Sequence, residues 1–299
     1  MPSLRQLEYL VALDDLAHFG RAAAKCHVSQ PTLSQQLKQL EARLGVTLVE
    51  RGNPPSMTPV GRELAARARR VLTEVEEIRR YAEQSKGGMA ATIRFGVTPT
   101  LGPYLMPSAI LSLHRDFPEL RLHIREGIPD VQLTELVRGD LDMMLCPLPI
   151  SEPGLHVEPL FREPLQLVGP PDHRLASKKH FEPEALAGEA VLSIDPTHHF
   201  HRQTEALVSE VGAYLLRDYQ GTSLDSLRQM AGSGLGLAFL PELYLRSETG
   251  GEDMVARFSI KGWSATRSIA AVWRQGTAMS KTYQNIAQQI AEHARRLLA

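Results

Sequence analysis

Residues 29–44 read SQPTLSQQLKQLEARL, and their spacing decides the first part of the fold. Leu33, Leu37, Leu40 and Leu44 recur at helical intervals and form one apolar stripe, while Thr32, Ser34, Gln35 and Lys38 fall off it. Ser29 suits an N-cap and Pro31 is tolerated only in a first turn, so the helix starts here. The off-stripe residues are small or amide side chains that both donate and accept, joined by one long cation. An ordinary amphipathic surface helix would carry the same stripe; the outer face adds a chemistry suited to base edges and phosphates.

Towards the N-terminus, Leu4, Leu7, Leu10 and Val11 space one further helix, and Phe19, Ala22, Ala23 and Cys26 space another. The small residues of the second would let a neighbouring helix approach closely. Cys26 reads as a packed core thiol, and His27, Val28 and Ser29 make a short turn. Helix, short turn, helix is the helix-turn-helix unit. Beyond Gly45, residues 46–50 are rich in β-branched side chains and predict a short strand, and Gly52-Asn53-Pro54-Pro55 predicts a tight turn before a second extended piece. Such a wing would place Arg51 over the adjacent groove, although a lone surface cation needs no such role.

A long helix is predicted from residue 62 to about 84. Leu64, Ala68, Val71, Val75 and Ile78 alternate in steps of four and three, the spacing of a two-helix seam. At roughly 35 Å it is long for a core helix, and it reads as a dimerising arm. A dimer would carry two recognition helices to successive major grooves, roughly 34 Å apart. Ser85-Lys86-Gly87-Gly88 ends the helix, with a hinge over 87–91. The expected organisation is a DNA-binding domain (1–60), a linker helix (61–86), the hinge and a regulatory domain (92–299).

Composition fits these assignments without deciding them. The 299 residues have a formal net charge of −1, but residues 1–90 hold 13 Lys and Arg against 10 Asp and Glu, so the basic excess is N-terminal. The two cysteines, Cys26 and Cys146, lack CxxC spacing, which favours a reducing compartment over a disulfide framework. Arg5, Glu8, Asp14 and Asp15 interrupt any signal-peptide core, and no apolar run reaches the roughly 18 residues of a membrane span. A cytoplasmic location is expected. Motifs of the GxSxG, P-loop, HExxH and nucleotide-fingerprint types are missing, so no catalysis is expected.

Residues 92–299 alternate strands and helices. Strands are predicted at 93–98, 120–126 and 141–148 with helices between them, then at 165–168, 190–193 and 235–240, with a return through 268–273 and a closing helix over 283–298. The βαβαβ order argues for a parallel sheet. Two such lobes, 92–163 with 268–299 and 164–267, would form a cleft at the strand ends, where open α/β sheets take ligands.

Residues 1–90, with LRQLEYLVALDDLAHFGRAAAKCHVSQPTLSQQLKQLEARLGVTLVER followed by TPVGREL, resemble the winged helix-turn-helix of LysR-type transcriptional regulators. The second half resembles that family's effector domain, an α/β fold of periplasmic-binding-protein type with two lobes. GVTPTLGPYLMP, RGDLDMML, TSLDSLRQM and GSGLGLAFLPE are most similar to the peroxide-sensing OxyR branch. The resemblance implies a homodimer or homotetramer on promoter DNA, contact with RNA polymerase, and DNA-facing residues Gln30, Pro31, Ser34, Gln35, Lys38 and Arg51, to which the off-stripe face of the helix adds Thr32. It does not carry over the branch's thiol switch. Its redox-active Cys aligns with His199, the partner Cys with Val208, and a Thr expected to help bind peroxide with Pro129. An imidazole and a valine cannot form a disulfide.

What remains is a cleft for an unidentified small-molecule effector, with no resident cofactor. Thr98 and Thr100 leave a strand just ahead of a helix, where hydroxyls and backbone donors welcome an anion; helix capping would use the same residues. Candidate effector contacts are Thr98, Thr100, Pro129, Pro147, His198, His199, Gly221 and Thr222. Two alternatives stand beside this reading. His198, His199 and His201 could form a metal- or proton-responsive loop site. Cys146, which reads as a core thiol inside an apolar strand, could instead sense an oxidant.

Overall fold

Ser3 opens the first helix with a reciprocal cap: its hydroxyl accepts from the Gln6 backbone N–H, and the Gln6 side chain accepts from the Ser3 N–H. In the computed structural model, which describes residues 1–52, 54–85, 92–247 and 254–299, the chain divides into Met1–Gly88 and Met89–Ala299. The predicted hinge at 87–91 lies outside the described residues.

In the first unit, α1 (Leu4–Leu16) is followed by α2 (Phe19–Lys25), capped by the His18 ring, and α3 (Gln30–Leu44), capped by Ser29 and ended by Gly45 at φ +68°. Leu33, Leu37 and Leu40 are fully buried against Tyr9, Leu10, Leu13, Ala22, Ala23 and Leu48. Each such leucine contributes on the order of 1.5–3 kcal/mol. Leu44 departs from the predicted stripe: it lies in the last turn and is exposed. On α1 the apolar spacing is also incomplete as a guide, because Leu4 is exposed while Gln6 is buried and donates to the Gln36 side chain of α3 at 3.1 Å.

The wing is shorter than expected. Only β1 (Val49–Glu50) and β2 (Ser56–Met57) pair, antiparallel, so the predicted strand loses its first three residues. The long helix α4 (Pro59–Ser85) starts before residue 62, because Thr58 caps it by accepting from the Gly61 N–H at 2.9 Å. Ala68 of the predicted seam is already buried within its own unit. α4 packs on α1, and the residue after Ala68, Arg69, pairs with Asp14 and Asp15 of α1 at 2.6 Å. The open part of the seam begins beyond it, with Val71 and Ile78 exposed and Val75 half-buried.

The second unit holds β3 (Thr92–Val97), α5 (Gly102–Asp116), β4 (Arg121–Glu126), α6 (Pro129–Arg138) and β5 (Met143–Pro147), with β4 and β5 both parallel to β3. There follow β6 (Leu155–Gly169), a 3-10 turn (Pro183–Leu186), β7 (Ala190–Ile194), α7 (His199–Glu210), β8 (Tyr214–Gly221), α8 (Leu224–Gly232), β9 (Leu237–Pro241) and α9 (Glu242–Ser247). Last come β10 (Ala256–Phe258), β11 (Ala265–Arg274) and α10 (Ser280–Leu298). The sheet order is β4-β3-β5-β11-β6-β9-β7-β8, with β10 on β6.

β6 and β11 run antiparallel through both lobes, from Leu155 opposite Arg274 to Leu165 opposite Ala265. The 269–273 half of β11 pairs with β5, and residues 165–168 of β6 pair with β9, so the two strands leave one lobe's sheet and enter the other's. A separate core fills each lobe, one around Phe95, Leu105, Trp273, Tyr283 and Ile290, the other around Val191, Phe200, Leu227 and Phe239. Sequence spacing missed β8 and β10. β8 carries Arg217 and Asp218 within its eight residues and so lacks a clean alternation, and β10 is three residues long.

Candidate nucleic-acid interface and effector cleft

On α3 the face opposite the leucines presents Gln30, Pro31, Thr32, Gln35, Lys38 and Gln39, all exposed, with Ser34 half-exposed. Lys38 has no hydrogen bond or ion pair among the described residues. Gln39 follows Gln35 by one helical turn and extends the same exposed face. Thr32 is partly committed to its own helix: its hydroxyl lies 2.8 Å from that of Ser29, and its N–H donates to Ser29 Oγ. His27, in the turn before α3, is exposed and adopts φ +55°.

Arg51 is not a free cation over a groove. Its Nη2 lies 2.6 Å from Glu41 Oε2, and Glu41 Oε1 accepts from the N–H groups of Leu48 (2.9 Å) and Val49 (3.1 Å). Burial pushes the Glu41 carboxyl up, but Arg51 and the two backbone donors outweigh it and hold the group below its ordinary range. The strong acceptor nearest to Arg51 is thus intramolecular.

In the regulatory unit, Thr100 and Thr222 come together: with Pro99, Tyr104, Glu126, Ser223 and Asp225 they line a cavity of about 530 Å³. Thr100 is fixed from below by Arg267, which donates to its hydroxyl and to its carbonyl, each at 2.8 Å. Arg267 also donates to Glu163 at 2.8 Å, and the other Glu163 oxygen accepts from the Leu243 N–H. Its guanidinium sits 5.7 Å from the Phe200 ring centroid on α7. Thr98 is buried and its hydroxyl has no partner among the described residues.

Pro129 is the first residue of α6. Beside it Asp130 pairs with Arg202 of α7 at 3.3 Å, tying the start of α6 to the helix that carries His199. Pro147 is buried at the end of β5 opposite Ile269, and Gly221 closes β8 opposite Ile194; neither lines the cavity. Sequence spacing could not reveal the Arg267–Glu163 and Asp130–Arg202 pairs. The available signal for the first was an arginine inside the otherwise apolar run ATRSIAAVWR, where a buried charge requires a partner.

The histidine cluster differs most from expectation. The three residues lie on no loop: His198 is the N-cap of α7, and His199 and His201 fall in its first turn. His199 is turned about 100° from His198 and about 200° from His201 along the helix, so the three rings do not share one face. His201 Nδ1 is taken by the Ile194 carbonyl at 2.9 Å, and His199 Nδ1 is buried without a partner among the described residues. Burial, and then Arg202, lower the His199 pKa. Among the described residues no group of three or more His, Cys, Asp or Glu could hold a metal ion. Cys146 is fully buried, and desolvation pushes its thiol up to about 12, so it stays protonated and unreactive near neutrality. Cys26 is half-buried in the first unit. No described helix is long and apolar enough to cross a membrane.

Comparison with known proteins agrees over both halves. Residues 4–62 match the bacterial regulatory helix-turn-helix protein family of lysR type, and residues 86–295 match the LysR substrate binding domain. A hydrogen peroxide-inducible genes activator of Pectobacterium carotovorum is 37% identical over 293 residues, covering 97% of this chain and 96% of that protein. The DNA-binding transcriptional dual regulator OxyR of Escherichia coli is 37% identical over 290 residues, covering 96% and 94%. Among solved structures, a cysteine variant of full-length OxyR from Pseudomonas aeruginosa superposes with a TM-score of 0.74 at 33% identity, covering 97% of this chain and 98% of that one. With a lysR-type helix-turn-helix at its start, a LysR substrate binding domain over most of the remainder and OxyR relatives along nearly its whole length, the chain belongs to the LysR family of DNA-binding transcriptional regulators, which are not enzymes.

Proposed function

We propose that this regulator responds to a small molecule bound between the lobes of its effector domain, without a thiol–disulfide switch. One observation carries the reading: His199 and Val208 occupy the places where the OxyR resemblance expects a cysteine pair, and Cys146 is sealed in a strand while Cys26 lies in the DNA-binding unit. The Thr98 hydroxyl and His199 Nδ1, both without a partner among the described residues, support a small polar ligand, although neither residue lines the cavity at Thr100 and Thr222. Binding alters DNA recognition only if the ligand favours one arrangement of the assembly over another.

In this reading Gln30, Ser34 and Gln35 read base edges and Lys38 contacts phosphate. Val71, Val75 and Ile78, the open part of the seam, supply a dimer contact that builds towards a homotetramer, and the protein acts in the cytoplasm on promoter DNA and RNA polymerase. No cofactor is required. The second reading, an oxidant response, is favoured by the peroxide-inducible names of the relatives. In this chain it would run through Cys146. A promoter reporter in cells carrying Cys146→Ser and Cys26→Ser decides between them. Induction that survives both changes supports the ligand reading; loss of induction in either overturns it. Thermal melting of the full chain against small acids, polyols and hydrogen peroxide then identifies the class of effector.

A further inference from the structure

We infer that Glu41 is the residue that positions the wing against the recognition helix, and that Arg51 acts through this carboxylate rather than as an independent phosphate contact. The inference rests on reading α3 and the wing as the DNA-binding face. Glu41 lies in the last third of α3, beside the buried Leu40. Both of its oxygens are used: Oε1 accepts from Leu48 N and Val49 N as the chain enters β1, and Oε2 accepts from Arg51 as the chain leaves it.

The wing needs this brace. Its two strands pair only through Val49 with Met57 and Glu50 with Ser56, and so short a hairpin does not hold itself in water. Gly45, at φ +68°, turns the chain out of α3, so the path from 46 to 51 is not an extension of the helix. Leu48 and Val49 are buried, and their N–H groups need acceptors that the two-residue ladder leaves to Glu41. The same carboxylate neutralises Arg51 at 2.6 Å, whereas Lys38 is exposed and unpaired among the described residues. Lys38 therefore releases counterions on binding DNA, and Arg51 serves as the outer half of the brace.

The test is operator affinity of the full chain across salt for wild type, Glu41→Ala, Glu41→Gln, Arg51→Ala, Lys38→Ala and the Glu41→Ala/Arg51→Ala double variant. The expected result is a loss of about tenfold in each of Glu41→Ala and Arg51→Ala, no further loss in the double, and an unchanged slope of log affinity on log salt. Glu41→Gln, which keeps an acceptor for the backbone, falls between wild type and Glu41→Ala, and Lys38→Ala loses about 0.9 of slope. A slope loss of that size in Arg51→Ala, losses that multiply in the double, or wild-type affinity in Glu41→Ala overturns the inference. Should Glu41→Ala fail to fold, Glu41→Gln takes its place in the cycle. A wild-type chain with no operator preference overturns the DNA-face reading itself, which separates the two failures.

Discussion

Arg267 and Glu163 are register partners on β11 and β6, their charged groups 2.8 Å apart and neither side chain exposed, at the place where both strands pass from one lobe to the other. The pair also fixes the loop that bears Thr100 and the start of α9 through Leu243. One buried contact thus joins the candidate cleft to the strand crossing.

Removing one partner leaves an uncompensated charge in the interior. Arg267→Met or Glu163→Leu alone should destabilise the chain by about 3–5 kcal/mol, and the double replacement should recover most of the loss. Urea unfolding of the three variants checks this. A double variant as unstable as the sum of the singles would show that the ion pair is not the source.

The division of labour on α3 is visible in specificity. Gln35→Ala should lower the preference for operator over random DNA by about 1–3 kcal/mol, while Lys38→Ala should weaken both by a similar factor. Competition binding at two salt concentrations separates the effects. Equal losses on both DNAs for both variants would refute the assignment.

His27 adopts φ +55°, in the turn that delivers α3. A β-branched side chain tolerates this region least, so His27→Val should cost about 1–2 kcal/mol, whereas His27→Asn should be close to neutral. Thermal unfolding measures both.

The seam is divided between one chain and its assembly. Ile78→Glu, at an exposed position of α4, should lower self-association with little change in melting. Ala68→Glu, at a buried position of the same helix, should instead unfold the first unit, by several kcal/mol for an unpaired buried charge. Sedimentation velocity together with circular dichroism tells the outcomes apart.

The Cys146 thiol is raised from 9.0 to about 12 by burial, so the native state favours its protonated form. The stabilisation from this group is fully present below pH 9.0 and is lost as the pH rises towards 12, by about 1.4 kcal/mol per pH unit once the unfolded thiol ionises. Cys146→Ala should therefore lose less stability than wild type between pH 9 and pH 11, and in native wild type a thiol reagent should modify Cys26 well before Cys146. Rapid labelling of Cys146 in the native chain would contradict this account.

The amino-acid sequence alone determined the elements that local physics controls. Leucines at helical spacing, Ser29 and Pro31 at a helix start, and alternating strand and helix patterns declare their faces without reference to the rest of the chain, so the helix-turn-helix and the first βαβαβ unit were readable. Tertiary structure decided which partner each polar group finds. Arg267 meets Glu163 across 104 residues, Arg51 turns back to Glu41, Ala68 is buried within its own unit, and His199 is turned away from His198 and His201 because a helix begins beneath them. Periodicity tells which side of an element avoids water. The pairing of buried charges depends on strand register and helix placement, which only the assembled core fixes.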